Sequence, residues 1–148
     1  LAGPPEAGVI AHGDPALGRI GRAQGVQLRA TDLGPADARR ILGAGWIGIS
    51  VHSVEAAQRA RDEGADYLVA GNVFETTTHP ARPARGVAWL RQIVAVGVPV
   101  FAIGGVGPDR AAEIRAAGAF GVAAMSALWH APDSARATEA MLAALEET

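Results

Sequence analysis

The stretch Val98 to Arg110, VPVFAIGGVGPDR, places an apolar run directly against Gly104-Gly105 and then opens a helix at Gly107-Pro108. Two residues without side chains let the main chain approach a ligand closely, and the free N–H groups of a following helical turn favour an anion. A second, shorter copy follows in FGVAAMSA (120–127), where an apolar strand ends at Met125-Ser126 and adds a hydroxyl. In a barrel of repeated strand-helix units, the loops after the last two strands are the usual phosphate site. These residues therefore point to a phosphorylated small molecule held between Gly104-Gly105 and Ser126. The competing reading is a tight turn that only requires small residues.

Other polar residues stand where strands end: His12 and Asp14, Gln27 and Asp32, Ser50 and His52, Asn72 and Glu75. In a parallel sheet such positions converge on one mouth. Each also has a plainer explanation. Ser50 and His52 lead into a helix cap at Ser53, Asp32 is an acid near the start of a helix, and His79 has no carboxylate near it in sequence. Trp46, Trp89 and Trp129 suit core or seam packing. No Ser-His-Asp triad, Walker loop, metal-ligand run or dinucleotide fingerprint is visible.

Positioning these residues requires six units of strand followed by helix. Strands are expected at 8–12, 25–28, 46–51, 66–73, 98–103 and 120–125. Ala- and Arg-rich segments at 14–23, 34–42, 53–63, 86–96, 108–117 and 132–146 carry helical spacing, with Ser53 as an N-cap and Gly64 and Gly118 as stops. Such alternation implies a parallel sheet with right-handed crossovers. Six units suit either part of an eight-stranded barrel or an open, doubly wound sheet. Strand starts fall about 20 residues apart except between Asp66 and Val98, where the loop ETTTHPARPAR (75–85) is long enough to be a lid or binding loop.

The 148 residues make one domain, 1–148, with 49% hydrophobic residues and a net charge of −2, which argues against a nucleic-acid or acidic-membrane partner. All 13 basic residues are Arg, so Schiff-base chemistry at a lysine is excluded. The chain has no Cys, which removes thiolate chemistry and disulfides and fits a cytoplasmic protein. No apolar run is long enough for a membrane span.

The motifs GVQL (25–28), SVHS (50–53), EGADY (63–67), GNVFET (71–76), RGV (85–87), PVFAIGGVGPD (99–109) and GVAAMSALW (121–129) resemble, in order and spacing, the thiamin phosphate synthase and TenI superfamily. The resemblance implies a (β/α)8 TIM barrel, usually dimeric, in which the first strand here corresponds to the family's third. The expected fold is thus a barrel lacking roughly its first two β/α units in this chain, and a homodimer.

Two activities compete within that resemblance. Thiamin phosphate synthase joins hydroxymethylpyrimidine diphosphate to thiazole phosphate and uses Mg²⁺. Its Asn-Asp pair falls on His12-Gly13 and its H-x-G-Q-x-D segment on Gln27 to Asp32, keeping only Asp32 as a metal ligand. Its T-x-T-K loop falls on Thr76 to His79. The TenI-type thiazole tautomerase matches more closely through GVQL, SVHS and FET, and needs an acid/base and a phosphate anchor but no cofactor. Where that family has a histidine, this chain has Asn72, so His52 or His79 takes the acid/base role or thiazole phosphate is bound without isomerisation. The expectation is a TenI-type protein, with Asn72, His52 and His79 as catalytic candidates; a non-catalytic phosphate-binding or regulatory relative is the remaining alternative beside the synthase. Gly104, Gly105, Met125, Ser126, Ser50, Thr76, Thr78 and Gln27 are expected to bind thiazole phosphate. Mg²⁺ and Asp32 enter only under the synthase alternative.

Overall fold

A computed structural model describes residues 8–76 and 82–146. Six strands alternate with helices: β1 Ile10–His12, α1 Pro15–Ile20, β2 Gly25–Leu28, α2 Pro35–Leu42, β3 Trp46–Val51 and α3 Val54–Asp62. The second half continues with β4 Tyr67–Gly71, α4 Gly86–Val94, β5 Val100–Ile103, α5 Pro108–Ala116, β6 Gly121–Ala123, α6 Ser126–Trp129 and α7 Ser134–Glu146. All six expected strands form, each within its expected range. The short helix α6 was not anticipated, because four residues carry too little periodicity to register. Among the described residues no helix is long and apolar enough to cross a membrane.

Strand order decides between the two folds left open above. The sheet runs β1-β2-β3-β4-β5-β6, every pair parallel. A doubly wound sheet needs a point where the order reverses, and none occurs. Right-handed crossovers are the rule for such units, and with each strand beside its predecessor they place the helices on one face while the sheet curls around the other as part of a barrel.

The period-2 pattern shows which face is which. Val26, Leu28, Ile47, Val51, Leu68, Ala70, Val100 and Ala102 are buried beneath the helices. There they meet Ala38 and Leu42 of α2, Ala57 and Ala60 of α3, Leu90 and Ile93 of α4, and Ala111 and Ile114 of α5. Alternate residues line the concave face, where Phe101 packs edge-on against Tyr67 and Phe120, with ring centroids 5.5 Å and 5.4 Å apart. Trp46 and Trp129, expected in packed positions, are 60% and 79% exposed.

Local signals set the helix ends. Asp14 Oδ1 accepts from Ala16 N at 2.8 Å and Leu17 N at 3.2 Å, so this acid caps α1 and is not a site residue. Ser53 Oγ accepts from Ala56 N at 3.1 Å, and Gly64 and Gly118 follow α3 and α5 with φ of +83° and +90°, as expected of helix stops. Asp66 Oδ2, just before β4, accepts from Ile47 N at 2.7 Å and Arg39 Nη2 at 2.6 Å, tying β4 to β3 and α2.

Gly48 tests the packing of the concave face. A Cβ there would collide with the Tyr67 ring and reach 2.5 Å from Gln27 Oε1. Gly48→Ala is expected to lower unfolding stability in urea by about 1–3 kcal/mol through overpacking, and shortening the ring in Gly48→Ala/Tyr67→Leu should recover part of that loss.

Candidate functional site

Because all six strands are parallel, their carboxyl ends share one rim, and a cavity of about 470 Å³ opens there. Its walls include Ser50 and His52 from the end of β3, and Asn72 and Thr76 from the segment after β4. Gly104 and Gly105 after β5, and Met125 and Ser126 after β6, complete the group of expected residues that the fold brings together. Gln27, expected to contact substrate, does not line the cavity. Its Nε2 donates to Leu28 O at 3.0 Å and Ser50 Oγ at 3.2 Å, so it supports Ser50 from below, and its buried Oε1 has no partner among the described residues. Thr78 and His79 lie outside the described residues.

Gly104 and Gly105 have φ of +96° and +64°, backbone that side chains rarely adopt. The space a Cβ would need is taken by the chain itself. On Gly104 it would lie 2.7 Å from Asn72 Cα, and on Gly105 2.8 Å from Phe74 Cβ. Both glycines are therefore dictated first by close packing against the segment after β4. That packing consumes carbonyls. Val73 N donates to Ile103 O at 2.9 Å, Phe74 N to Gly104 O at 3.0 Å, and Arg110 Nη1 to Gly105 O at 3.2 Å while its guanidinium stacks 4.3 Å from the Phe74 ring centroid. No backbone hydrogen bond among the described residues uses the N–H of Gly104 or Gly105. The turn thus brings two unpaired donors to a cavity-lining position, which is what an anion requires.

Asn72 is 8% exposed, and its Nδ2 donates to Phe74 O at 3.2 Å and Arg82 O at 3.1 Å. Arg85 N also donates to Asn72 O at 3.2 Å and Gly86 N to Val73 O at 2.9 Å. The side chain latches the two ends of the 73–85 connection together. His52 Nδ1 lies 2.7 Å from Gly71 O. A carbonyl only accepts, so Nδ1 carries the hydrogen and Nε2 is the nitrogen left for the cavity.

Arg29 was missed among the strand ends. It lines the cavity with Arg82, His12 and His52, and none of the described lining residues is Asp or Glu. Asp32 stands close by but is committed: its Oδ2 accepts from Arg29 N at 2.7 Å, Arg29 Nε lies 3.0 Å and 3.1 Å from its two oxygens, and Arg29 Nη2 lies 2.9 Å from Oδ1. Hydrogen bonds from the Arg29 side chain and then its backbone N–H hold the Asp32 carboxyl below the ordinary carboxylate range. The signal for Arg29 was available in its position directly after Leu28, at the end of β2.

The family model described as thiamine monophosphate synthase matches residues 7–128. Thiamine-phosphate synthase of Thermus thermophilus is 42% identical over 129 residues, covering 86% of this chain and 62% of the relative. The enzyme of the same name from Pyrococcus furiosus is 43% identical over 126 residues, covering 84% and 61%. The chain therefore spans about three fifths of the length of these curated relatives. Among solved structures, thiamine phosphate pyrophosphorylase from Pyrococcus furiosus superposes with a TM-score of 0.86 at 38% identity, covering 93% of this chain and 67% of that one.

These relatives correct the expectation of a TenI-type tautomerase. They bear the names of a synthase and a pyrophosphorylase, and none of the three is named a tautomerase. The tautomerase reading rested on a few short motifs, GVQL, SVHS and FET, whereas identity over about 130 residues weighs the whole sheet and its connections.

The Arg29–Asp32 pair yields a pH prediction. A carboxyl whose folded-state pKa is lowered contributes stability above its unfolded pKa and loses it as pH falls through the lowered value. The Asp32 side-chain ¹³C resonance is expected to titrate below the unfolded reference in the native chain, and to move upward in Arg29→Ala.

Proposed function

The chain belongs to the thiamine monophosphate synthase family, and from that premise we propose that it serves as the substrate-binding barrel of a thiamine-phosphate synthase. Its sheet would supply six of the eight strands of a closed barrel, with β1 standing third. The reaction is alkylation of a thiazole phosphate by hydroxymethylpyrimidine diphosphate. A bond forms from the thiazole nitrogen to the pyrimidine methylene carbon as that carbon's bond to the diphosphate oxygen breaks, and the electron pair leaves with the diphosphate.

The observation carrying this reading is the Gly104–Gly105 turn, whose N–H groups have no acceptor among the described residues and which shares a cavity with Ser126. Two main-chain amides and a hydroxyl suit the oxygens of a phosphate monoester. Val69, Ile103 and Ala123 supply an apolar wall for a ring, and Ser50, Thr76 and Met125 complete its surroundings. N-alkylation needs a stabilised leaving group and no proton transfer before the C–N bond forms. An amide at Asn72, committed to holding the 73–85 connection, is thus compatible with this chemistry where it was a difficulty for an isomerase.

A divalent metal, implied by the family resemblance, can be tested against the residues present. Hard dications take several oxygen ligands. Among the described residues no group of three His, Cys, Asp or Glu could hold a metal, no carboxylate lines the cavity, and Asp32 is engaged by Arg29. The described donor set does not fit the ion, and no step is routed through it. A homodimer belongs to the same family reading, and sedimentation velocity of the purified chain would test it.

Thiazole phosphate titrated into the chain should bind, and Ser126→Asp should weaken it about tenfold or more, since a carboxylate would face the monoester dianion. Unchanged affinity in Ser126→Asp would place the phosphate elsewhere. Mixing the chain with both substrates and assaying thiamin phosphate tests the full reaction.

A further inference from the structure

The cavity has a second pole that the monoester seat does not use. It is cationic, and its geometry is built around Arg29. The Arg29 side chain is 63% exposed and lines the cavity, while Asp32, 10% exposed, grips it from behind. Nε and Nη2 face the carboxylate. A guanidinium carries five donors, so Nη1 and its two hydrogens remain without a protein partner among the described residues. Gly13, after β1, makes room for this arrangement. A Cβ there would already lie 3.5 Å from Asp32 Oδ2 and 3.7 Å from Arg29 Nη2, so the guanidinium and its carboxylate occupy the space a longer side chain at position 13 would enter.

Arg82 contributes a second cation to the cavity wall. Its carbonyl is fixed by the Asn72 amide at 3.1 Å, and its side chain lines both this cavity and a contiguous recess of about 210 Å³ that also includes His52 and Arg85. Arg85 is partly engaged, with its guanidinium 5.1 Å from the Trp89 ring centroid. Two guanidinium groups with no carboxylate among the described lining residues make a site for a polyanion with more charge than a monoester, and planar donors suit phosphoryl oxygens.

We propose that Arg29, oriented by Asp32, acts with Arg82 as a built-in cation that seats a diphosphate group without a divalent metal. The proposal rests on the synthase reading and deepens it by assigning the leaving-group pole. Arg29 is a binding residue there, and Asp32 is a positioning residue that acts through it. As the C–O bond breaks, the charge arriving on the diphosphate is met by fixed protein charge.

The test uses inorganic pyrophosphate as the probe, titrated calorimetrically into the full chain in EDTA and again in excess Mg²⁺. Binding is expected in EDTA, with no tightening on adding Mg²⁺. Arg29→Ala should weaken it about tenfold or more, the order expected for loss of a charge-assisted contact. Arg29→Lys, which keeps the charge without the fork, should fall between, and it decides the matter should Arg29→Ala fail to give a native thermal melt. Asp32→Asn should weaken pyrophosphate without abolishing it. Pyrophosphate that binds wild type only with Mg²⁺, or that binds Arg29→Ala and Arg29→Lys as tightly as wild type, overturns the proposal. The synthase reading is tested apart from Arg29 with thiazole phosphate on the wild-type chain: failure to bind it while pyrophosphate still binds in EDTA would overturn the synthase reading and leave the Arg29 assignment standing.

Discussion

The site depends on one close approach, that of the turn after β5 to the segment after β4. Where Gly104 and Gly105 press against Asn72 and Phe74, any side chain would strike the neighbouring segment, at 2.7 Å from Asn72 Cα in one case and 2.8 Å from Phe74 Cβ in the other. The approach turns the carbonyls of Ile103, Gly104 and Gly105 toward Val73, Phe74 and Arg110, which satisfy them. What the packing leaves over is a pair of main-chain N–H groups at the cavity. A packing requirement and an anion seat are here the same constraint, since donors unpaired among the described residues become the natural partners of a phosphate oxygen. The Asn72 amide strengthens the arrangement by clasping the carbonyls of Phe74 and Arg82, which fixes the wall against which the glycines rest.

Charge is distributed around the rim as sparingly as hydrogen bonds. Asp14 is spent on a helix cap, Asp66 on fastening β4 to β3 and α2, and Asp32 on Arg29. These three acids thus have structural work, and the described cavity lining keeps cations without acids. The resulting field favours dianions and disfavours cations, independently of which phosphorylated molecule enters.

The sheet was legible because the chain repeats one device, an apolar strand, a polar strand end and an Ala-rich helix closed by glycine. Gly64 and Gly118 are such closures, and Ser53 caps its helix as its position implies. The hydroxyls and glycines of the mouth were legible for the same reason, since a parallel sheet sends every strand's carboxyl end to one rim. What could not be read was pairing across the sheet. Nothing in the sequence says that the Asn72 amide reaches Arg82 ten residues on, that Arg110 turns back to stack on Phe74, or that Gln27 points beneath Ser50 and not into the cavity. Arg29 was passed over because a charged residue after a strand usually means solvent, and only its packing with Asp32 over Gly13 shows that it is held at the mouth. The TenI-type expectation failed for a related reason: GVQL, SVHS and FET weigh a few positions, while identity over about 130 residues weighs the sheet and its connections together.

The most direct test of the central claim is to follow the backbone amides of Gly104 and Gly105 in ¹⁵N-resolved NMR spectra while a phosphate monoester is added. Two unpaired donors serving as the seat should give saturable shifts at both glycines and at Ser126, together with slowed hydrogen exchange when ligand is bound. Glycine amides that stay in place while the monoester binds, or that are already protected from exchange in the free chain, would contradict it.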